Sequence, residues 1–561
     1  MSLIPYPNQI TPDRQTSMLE RSDELFRSPA TGIQQVTTRG HAYWRHTIEY
    51  KDLSDSERDI VQAFLMKCKG SINTFRLPDF GNYGVAGSAS DWLDIFGGKG
   101  YLKNQADLNY FSHTTVMTKT LLNGGGVVAE YRSLASTFNM YKSNVWTVTA
   151  GHAQLIRAKV FNKDPMTIRF NAGSNYDIML SQQVNSSSQI SAPFFTDIGS
   201  MSVAGLYTQY TTATNRIGDQ FRMHDLVLSR AALVSNSENL VTYSNEFDHA
   251  DWNALVNASV ASGYHTSPTG VTSGGWRWFT DTSVNTFHYI LHGITKTMTE
   301  DIYTVSIFAK AAAADKNIRL RLDDGGTTDG VSADFYLNSG TVTAITEYGT
   351  YTRGRAKIFD VGSSWYRCQL TCVVNSENQV RPVIYMTSGS SVVFTGNGSD
   401  GVEIFGAQLR KHPFAGHYVP TTDTIVVGSG WQTGSRLYVE GLDASTIIAR
   451  AGTRFELINR YHDTANNLYE RSEFKRLTAD LKSHREGWGV LEFDPPIRNA
   501  PEPLLVAKNA ATNFLGETMH NAVIFNNPEM TCRLVNNTIQ YIEKPLKLTD
   551  IVFDVIEDLT V

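Results

Sequence analysis

Cysteine is scarce in this sequence. Four in 561 residues, Cys68, Cys368, Cys372 and Cys532, cannot make the disulfide framework of a small secreted scaffold, and no Cys-x-x-Cys spacing offers a metal site. Cys368 and Cys372 would share one face of a strand at about 13 Å, too far to bridge, so buried thiols in a reducing cytosol are expected. Charge is also sparse: Asp, Glu, Lys and Arg make up 19% of the chain and sum to −6, which leaves no global positive field for nucleic acid. Long apolar runs are missing, since no segment approaches about 18 uninterrupted apolar residues. Met1 to Gln15 is polar, carries Pro5, Pro7 and Pro12, and lacks the apolar centre of an export signal. Neither membrane insertion nor export is therefore expected.

What is present is enough to build cores. Apolar residues reach 41% and aromatics 11%, a balance that excludes wholesale disorder. At about 150 residues per domain, the length corresponds to about three or four domains.

Residues 36 to 87 read as strand, helix, strand. Tyr43, Arg45, Thr47 and Glu49 alternate with Trp44, His46, Ile48 and Tyr50. Ser54-Asp55-Ser56-Glu57 then forms a capping box, and Ile60, Val61, Phe64, Leu65 and Cys68 fall on one face of a helix that Gly70 is expected to cap. Ser71 to Leu77 resumes an extended pattern and exits through Pro78-Asp79-Phe80-Gly81-Asn82-Tyr83-Gly84. One helix and two strands are too small to fold alone, so this segment needs a partner. From Ile425 onward, short strands such as Arg436–Val439, Phe455–Leu457, Phe474–Leu481, Gly487–Phe493 and Ile551–Ile556 recur at the spacing of a small barrel or sandwich.

The expected fold is therefore mainly β. A discontinuous β-barrel or sandwich domain with one packed helix, residues 1–87 plus 425–561, would be interrupted by two inserted antiparallel β-sandwiches at 88–235 and 236–424. The inserted stretch is rich in Ser, Thr, Gly, Asn and aromatics, with almost no helical periodicity. It also contains a candidate repeat. Trp146-Thr147-Val148-Thr149, Ala158-Lys159, Asp164 and Ile168-Arg169-Phe170 parallel Tyr303-Thr304-Val305-Ser306, Ala309-Lys310, Asp315 and Ile318-Arg319-Leu320. The offset of about 150 residues is one sandwich per copy, with Val227–Arg230 and Gln408–Lys411 as matching last strands.

Asn239 to Phe247, Trp252, Tyr303 to Lys310, Trp365-Tyr366-Arg367, Ile404 to Leu409 and Tyr418 to Thr421 form an ordered set. In order and spacing this set resembles the carbohydrate-binding-module-like jelly rolls of bacteriophage tail proteins. The outer pieces carry a second resemblance: Trp44 to Glu49, the helix, Thr74 to Pro78, Gly434 to Val439, Ala451 to Leu457 and Pro495 to Arg498. Together they resemble the split halves of a siphophage distal tail protein (Dit-like), although the long insertion departs from compact members. That resemblance implies a structural virion protein of the tail tip, made in the host cytoplasm. It further implies a homo-hexameric ring joining the tail tube protein to the tail tip hub protein, with the inserts free to contact host-surface glycan. Two rivals remain open, a glycan-degrading tail protein and a glycan-binding adhesion protein unrelated to phage.

Candidate sites are few. Trp276, Trp278 and Tyr289 lie in aromatic-rich strands, where flat rings could stack on the C–H face of a sugar. Against this stands the reading that the shared face of Trp276 and Trp278 fills the core, as aromatics of a sandwich most often do. The same weighing assigns Trp365-Tyr366 to the core. Gly396 to Gly401 satisfies G-x-G-x-x-G but runs into a strand, so it reads as a hairpin loop and not a phosphate cradle. Asp323, Asp324 and Asp329 offer hard oxygen ligands to a cation without EF-hand spacing. His288 and His292 lie about 13 Å apart if extended, which argues against zinc. No G-x-S-x-G elbow or Walker loop occurs, and the carboxylates are scattered. No catalytic residue, cofactor or metal is assigned, and no enzyme is expected.

Overall fold

The computed structural model describes residues 3–78 with short gaps, the strands between 101 and 230, and most of 232–557, with 428–433 and 498–521 excepted. The described chain is mainly β, built of almost wholly antiparallel sheets with one α-helix. The exit turn expected at 79–84 and the Trp146–Thr149 part of the repeat lie outside the described residues.

The two chain ends share one sheet. Gln34–Leu53 pairs on one side with Arg14–Arg27 and on the other with Leu548–Glu557, setting Arg45 opposite Ile556 and Ile48 opposite Phe553. Thr74–Pro78 pairs with Glu529–Leu534 in the same sheet. Alternation makes the pairing productive, because Trp44, Ile48 and Tyr50 point to the face that also receives Ile551, Phe553 and Val555. The helix Asp55–Cys68 lays Val61, Phe64, Leu65 and Cys68 on this core. At about 2 kcal/mol per fully buried large apolar side chain, that stripe is what holds the helix down. Its start is fixed by the Ser54 backbone N–H donating to Glu57 Oε2 at 3.0 Å. It ends one residue before the expected glycine: Lys69 already has φ 49° and Gly70 follows at 64°.

Six short strands form a separate closed barrel: Ala232–Val234, Arg436–Glu440, Trp488–Asp494, Leu468–Leu477, Arg454–His462 and Ala522–Ile524. Two expectations are corrected here. Ile551–Ile556 belongs to the helix-bearing sheet and not to the barrel series, because its apolar alternation faces the helix. Ala232–Val234, read as the end of the first insert, is a barrel stave, with Leu233 opposite Glu440 and Ala232 opposite Val523. The two bodies meet at Phe474, whose carbonyl accepts from Trp44 Nε1 at 3.2 Å and whose ring lies edge-on to that indole at 6.0 Å.

Strands described between Tyr101 and Arg230 join one nine-stranded sheet. Ala158, Lys159 and Ile168–Phe170 all lie on the single strand Ala153–Ala172, whereas their proposed counterparts Ala309-Lys310 and Ile318–Leu320 lie on two successive strands. The candidate repeat is therefore not reproduced in the strand pattern.

Residues 241–421 form a two-sheet sandwich with sheets of eight and six strands. Its entry and exit are paired, Glu238 with Val427 and Asn239 with Val426. The Asn239 side chain adds bonds to the carbonyls of Ala407 (3.1 Å) and Val419 (2.8 Å), closing the neck.

Candidate functional site

The strand Lys316–Asp323 reads Lys-Asn-Ile-Arg-Leu-Arg-Leu-Asp, a strict alternation. Ile318, Leu320 and Leu322 enter the sandwich core, so Arg319, Arg321 and Asp323 stand on the outer face of the eight-stranded sheet. Its neighbour Gln379–Ser388 does the same, with Val380, Ile384 and Met386 inward and Arg381, Val383 and Tyr385 outward.

Register assembles these side chains into rows. Tyr289 is opposite Tyr385, Tyr385 opposite Arg319, and Arg319 opposite Asp334. The next row runs Leu291, Val383, Arg321 and Ser332, and the one after it Arg381, Asp323, Gly330 and Tyr348. The Tyr289 and Tyr385 rings lie 5.3 Å apart, with the exposed ring of Phe287 6.1 Å from Tyr385. Arg321 spreads over the Tyr348 ring at 4.9 Å.

Two carboxylates hold the guanidinium groups in place. Arg381 donates to both oxygens of the fully buried Asp323 at 2.7 and 3.2 Å, and Arg321 Nε lies 2.8 Å from Oδ2. Arg319 donates to both oxygens of Asp334 at 2.6 and 2.8 Å. The hydrogen bonds to Asp334 and Asp323 raise the basicity of Arg319 and Arg381 above the ordinary value despite burial. Burial pushes the Tyr348 phenol up to about 12 and raises Tyr385 as well, so both hydroxyls stay protonated at neutral pH. The result is a fixed surface of rings and cationic N–H donors, suited to binding a flat ligand.

This face points away from the barrel. Docking is made by the six-stranded sheet, through Arg367 to Glu486 at 2.8 Å and Arg410 to Glu440 at 2.8 Å, with all four side chains at most 4% exposed. Arg367 also donates to Ser306 Oγ (3.1 Å), Gln408 Oε1 (3.2 Å) and the Gly416 carbonyl, and Arg410 to Ser235 Oγ (3.1 Å). A shallow cleft of about 350 Å³ on the barrel is lined by Asp480, Lys482, His484, Trp488 and Glu492. Trp488 Nε1 donates to Glu486 at 2.9 Å, so its wall is part of the same joint.

Of the residues expected to bind glycan, Trp276 and Trp278 are corrected. They do share one face, but it is the inner one: Trp278 is fully buried and Trp276 is 9% exposed, both inside the core cluster. Their rings meet other core side chains and cannot stack on a sugar. Tyr289 alone lies on the outer face. Trp365 is buried against Phe308 and Phe405, its indole N–H donating to the Thr266 carbonyl at 3.2 Å.

The remaining sequence candidates are structural. Asp323 is held by the two arginines; Asp324 Oδ1 accepts from the Gly326 N–H at 2.9 Å and Asp329 Oδ1 from that of Thr350. Among the described residues no group of three or more His, Cys, Asp or Glu is placed to hold a metal. His288 Nδ1 lies 2.6 Å from the Asn257 carbonyl and His292 Nε2 3.0 Å from Thr242 Oγ1. Gly396–Gly401 is a loop that runs into a strand, as expected, but the hairpin is corrected: Val393–Phe394 pairs with Thr286–Phe287, whereas Gly401–Arg410 pairs with Gly275–Thr280 and Asp301–Ala311. Within the loop, Asn397 Oδ1 accepts from the backbone N–H groups of Ser399 (3.0 Å) and Asp400 (2.8 Å). Sequence reasoning missed Tyr385, Arg319, Arg321 and Arg381. The alternation of 316–323 signalled an outer polar face, but the partners depend on strand order. All four cysteines are buried outside any disulfide, and no described helix is long and apolar enough to cross a membrane.

No family model and no curated protein matches the chain. Among solved structures it is similar to the CBM22-1–CBM22-2 tandem domain of Paenibacillus barcinonensis Xyn10C, at 13% identity and TM-score 0.20 over 55% of this chain and 94% of that one. A CBM4 structure matches at 10% identity and TM-score 0.17, covering 25% of this chain and 98% of that one. A cycloalternan-forming enzyme from Listeria monocytogenes, in complex with a pentasaccharide substrate, matches at 10% identity and TM-score 0.12, over 52% and 22% of the respective chains.

Proposed function

We propose that this chain is a glycan-binding structural protein: a distal tail ring subunit of a phage whose second inserted sandwich holds host-surface saccharide. The binding half is carried by one observation, the alignment of Tyr289 and Tyr385 with Arg319, next to Arg321 and Arg381. Tyrosine rings give a flat apolar platform for the C–H face of a sugar, and guanidinium groups give rigid N–H donors to its oxygens. Asp323 and Asp334 are committed to arginines, which favours holding a glycan over hydrolysing it, and no catalytic role is assigned.

The ring half is supported by the pairing of Arg45–Tyr50 with Ile551–Ile556, which makes the chain ends one scaffold for an inserted appendage. Its partners would be further copies of this chain in a hexamer, the tail tube protein and the tail tip hub protein. Repetition around a ring raises the effective concentration of weak sugar sites, so that low single-site affinity suffices for attachment. Sedimentation of the full-length protein and its application to a dense glycan array test the two halves separately. A hexamer and saturable array binding are expected. A monomer at all attainable concentrations would remove the ring, and silence on the array would remove the adhesion.

A further inference from the structure

We infer that the saccharide taken by the outer face of the eight-stranded sheet is acidic, bearing carboxylate or phosphate groups; the inference rests on the glycan-binding reading above. Neutral sugars present hydroxyl groups that both donate and accept, and a site for them profits from exposed carboxylate acceptors. Here the two carboxylates inside the rows are engaged by arginine. Asp323 is fully buried; its Oδ1 accepts from Arg381 Nε at 2.7 Å and the Gly325 N–H at 3.1 Å, while Oδ2 meets Arg381 Nη2 at 3.2 Å and Arg321 Nε at 2.8 Å. Both oxygens of Asp334 are taken by Arg319. At the rim, Asp324 and Asp329 turn back onto the backbone N–H groups of Gly326 and Thr350.

Within the rows three guanidinium groups meet two carboxylates: Arg319 pairs with Asp334, whereas Asp323 is shared by Arg381 in its own row and Arg321 from the adjoining one. Arg321 is one row from Tyr385, a diagonal neighbour whose side chain reaches the Tyr385 hydroxyl. A sugar ring stacked on Tyr289 and Tyr385 would thus bring an anionic substituent, on itself or on the next residue, over the Arg321 guanidinium. That group lies over Tyr348, with its central carbon 4.9 Å from the ring centroid, and the Arg321 side chain is 20% exposed. A planar, fixed guanidinium is well matched to carboxylate or phosphate oxygens.

The test uses the full-length protein and two matched pairs of polymers: polygalacturonate with its carboxyl-reduced form, and phosphomannan with its dephosphorylated form. At least one acidic polymer is expected to bind at least tenfold more tightly than its neutral counterpart at low salt. The preference should shrink as salt rises, vanish in Arg321→Gln and survive in part in Arg321→Lys, each variant keeping a cooperative melting transition because Arg381 still pairs with Asp323. Which pair shows the preference distinguishes carboxylate from phosphate. Equal binding of acidic and neutral partners, or a preference untouched in Arg321→Gln, overturns the acidic inference; if that binding is lost in Tyr385→Ala, the glycan reading stands. Failure of all four polymers to bind overturns both.

Discussion

Arg410, on the last strand of the inserted sandwich, donates through Nη1 to Oε1 of Glu440 in the barrel at 2.8 Å, and each side chain is only 1% exposed. His412 Nδ1 lies 3.0 Å from the other Glu440 oxygen. Two charges withdrawn from water contribute little net stability as a pair, yet removing one strands the other. Glu440→Ala should therefore cost about 3–5 kcal/mol, measured by urea unfolding followed through tryptophan fluorescence. A loss below about 1 kcal/mol would mean that the joint is not held by this pair.

This joint and the contact of the barrel with the helix-bearing sheet, where His46 stacks on Trp44, set a pH dependence. Burial lowers the His417 imidazole to about 4, and burial together with Arg454 lowers His46 to about 3. For Glu440, burial alone would raise the carboxyl, but Arg410 and His412 outweigh it and hold it well below the usual range. In each case the folded group binds its proton less readily than the unfolded one, so stability is full above the unfolded pKa and falls with pH. The histidine contribution should be present above about pH 6.5 and decline toward pH 4, and that of Glu440 should decline below about pH 4.3. His417→Phe, which can keep the stack on Tyr438, should flatten the melting temperature profile between pH 6.5 and 4. An unchanged profile would contradict the assignment.

Two aromatic substitutions should separate core from surface. Trp278→Ala removes a fully buried indole and should cost about 3–5 kcal/mol, while glycan affinity per folded molecule is retained. Tyr385→Ala should cost less than about 1.5 kcal/mol and lower glycan affinity about tenfold or more. Denaturation and binding measured on the same preparations check both.

All four thiols are buried, and burial pushes Cys68 up to about 12 and raises Cys368 and Cys372. A thiol-specific chromogenic reagent should therefore react slowly with the native protein and with all four thiols in denaturant. Prompt native labelling of Cys368 would contradict the burial of its strand.

Local pattern carried much of this architecture. The capping box at Ser54, the apolar stripe from Ile60 to Cys68 and the alternation around Trp44 are short-range signals that act within one element. The side of a strand that faces the core is different, because a period of two defines two faces and gives neither a direction. Trp276 and Trp278 were legible as neighbours on one face, and the core was the commoner destination for that face, but the pattern alone did not decide between core and ligand. Arg381 pairs with Asp323 from 58 residues away, and Ala232–Val234 joins the barrel through Glu440 and Val523; both depend on strand order, which no local signal encodes.

The most direct measurement is the affinity of the full-length protein for an array-selected glycan, before and after the double substitution Tyr289→Ala, Tyr385→Ala. With the melting transition retained, the rings' role predicts a loss of at least about tenfold, or ~1.4 kcal/mol. Undiminished binding by the folded double variant would show that saccharide is held elsewhere, and would contradict the assignment of this face.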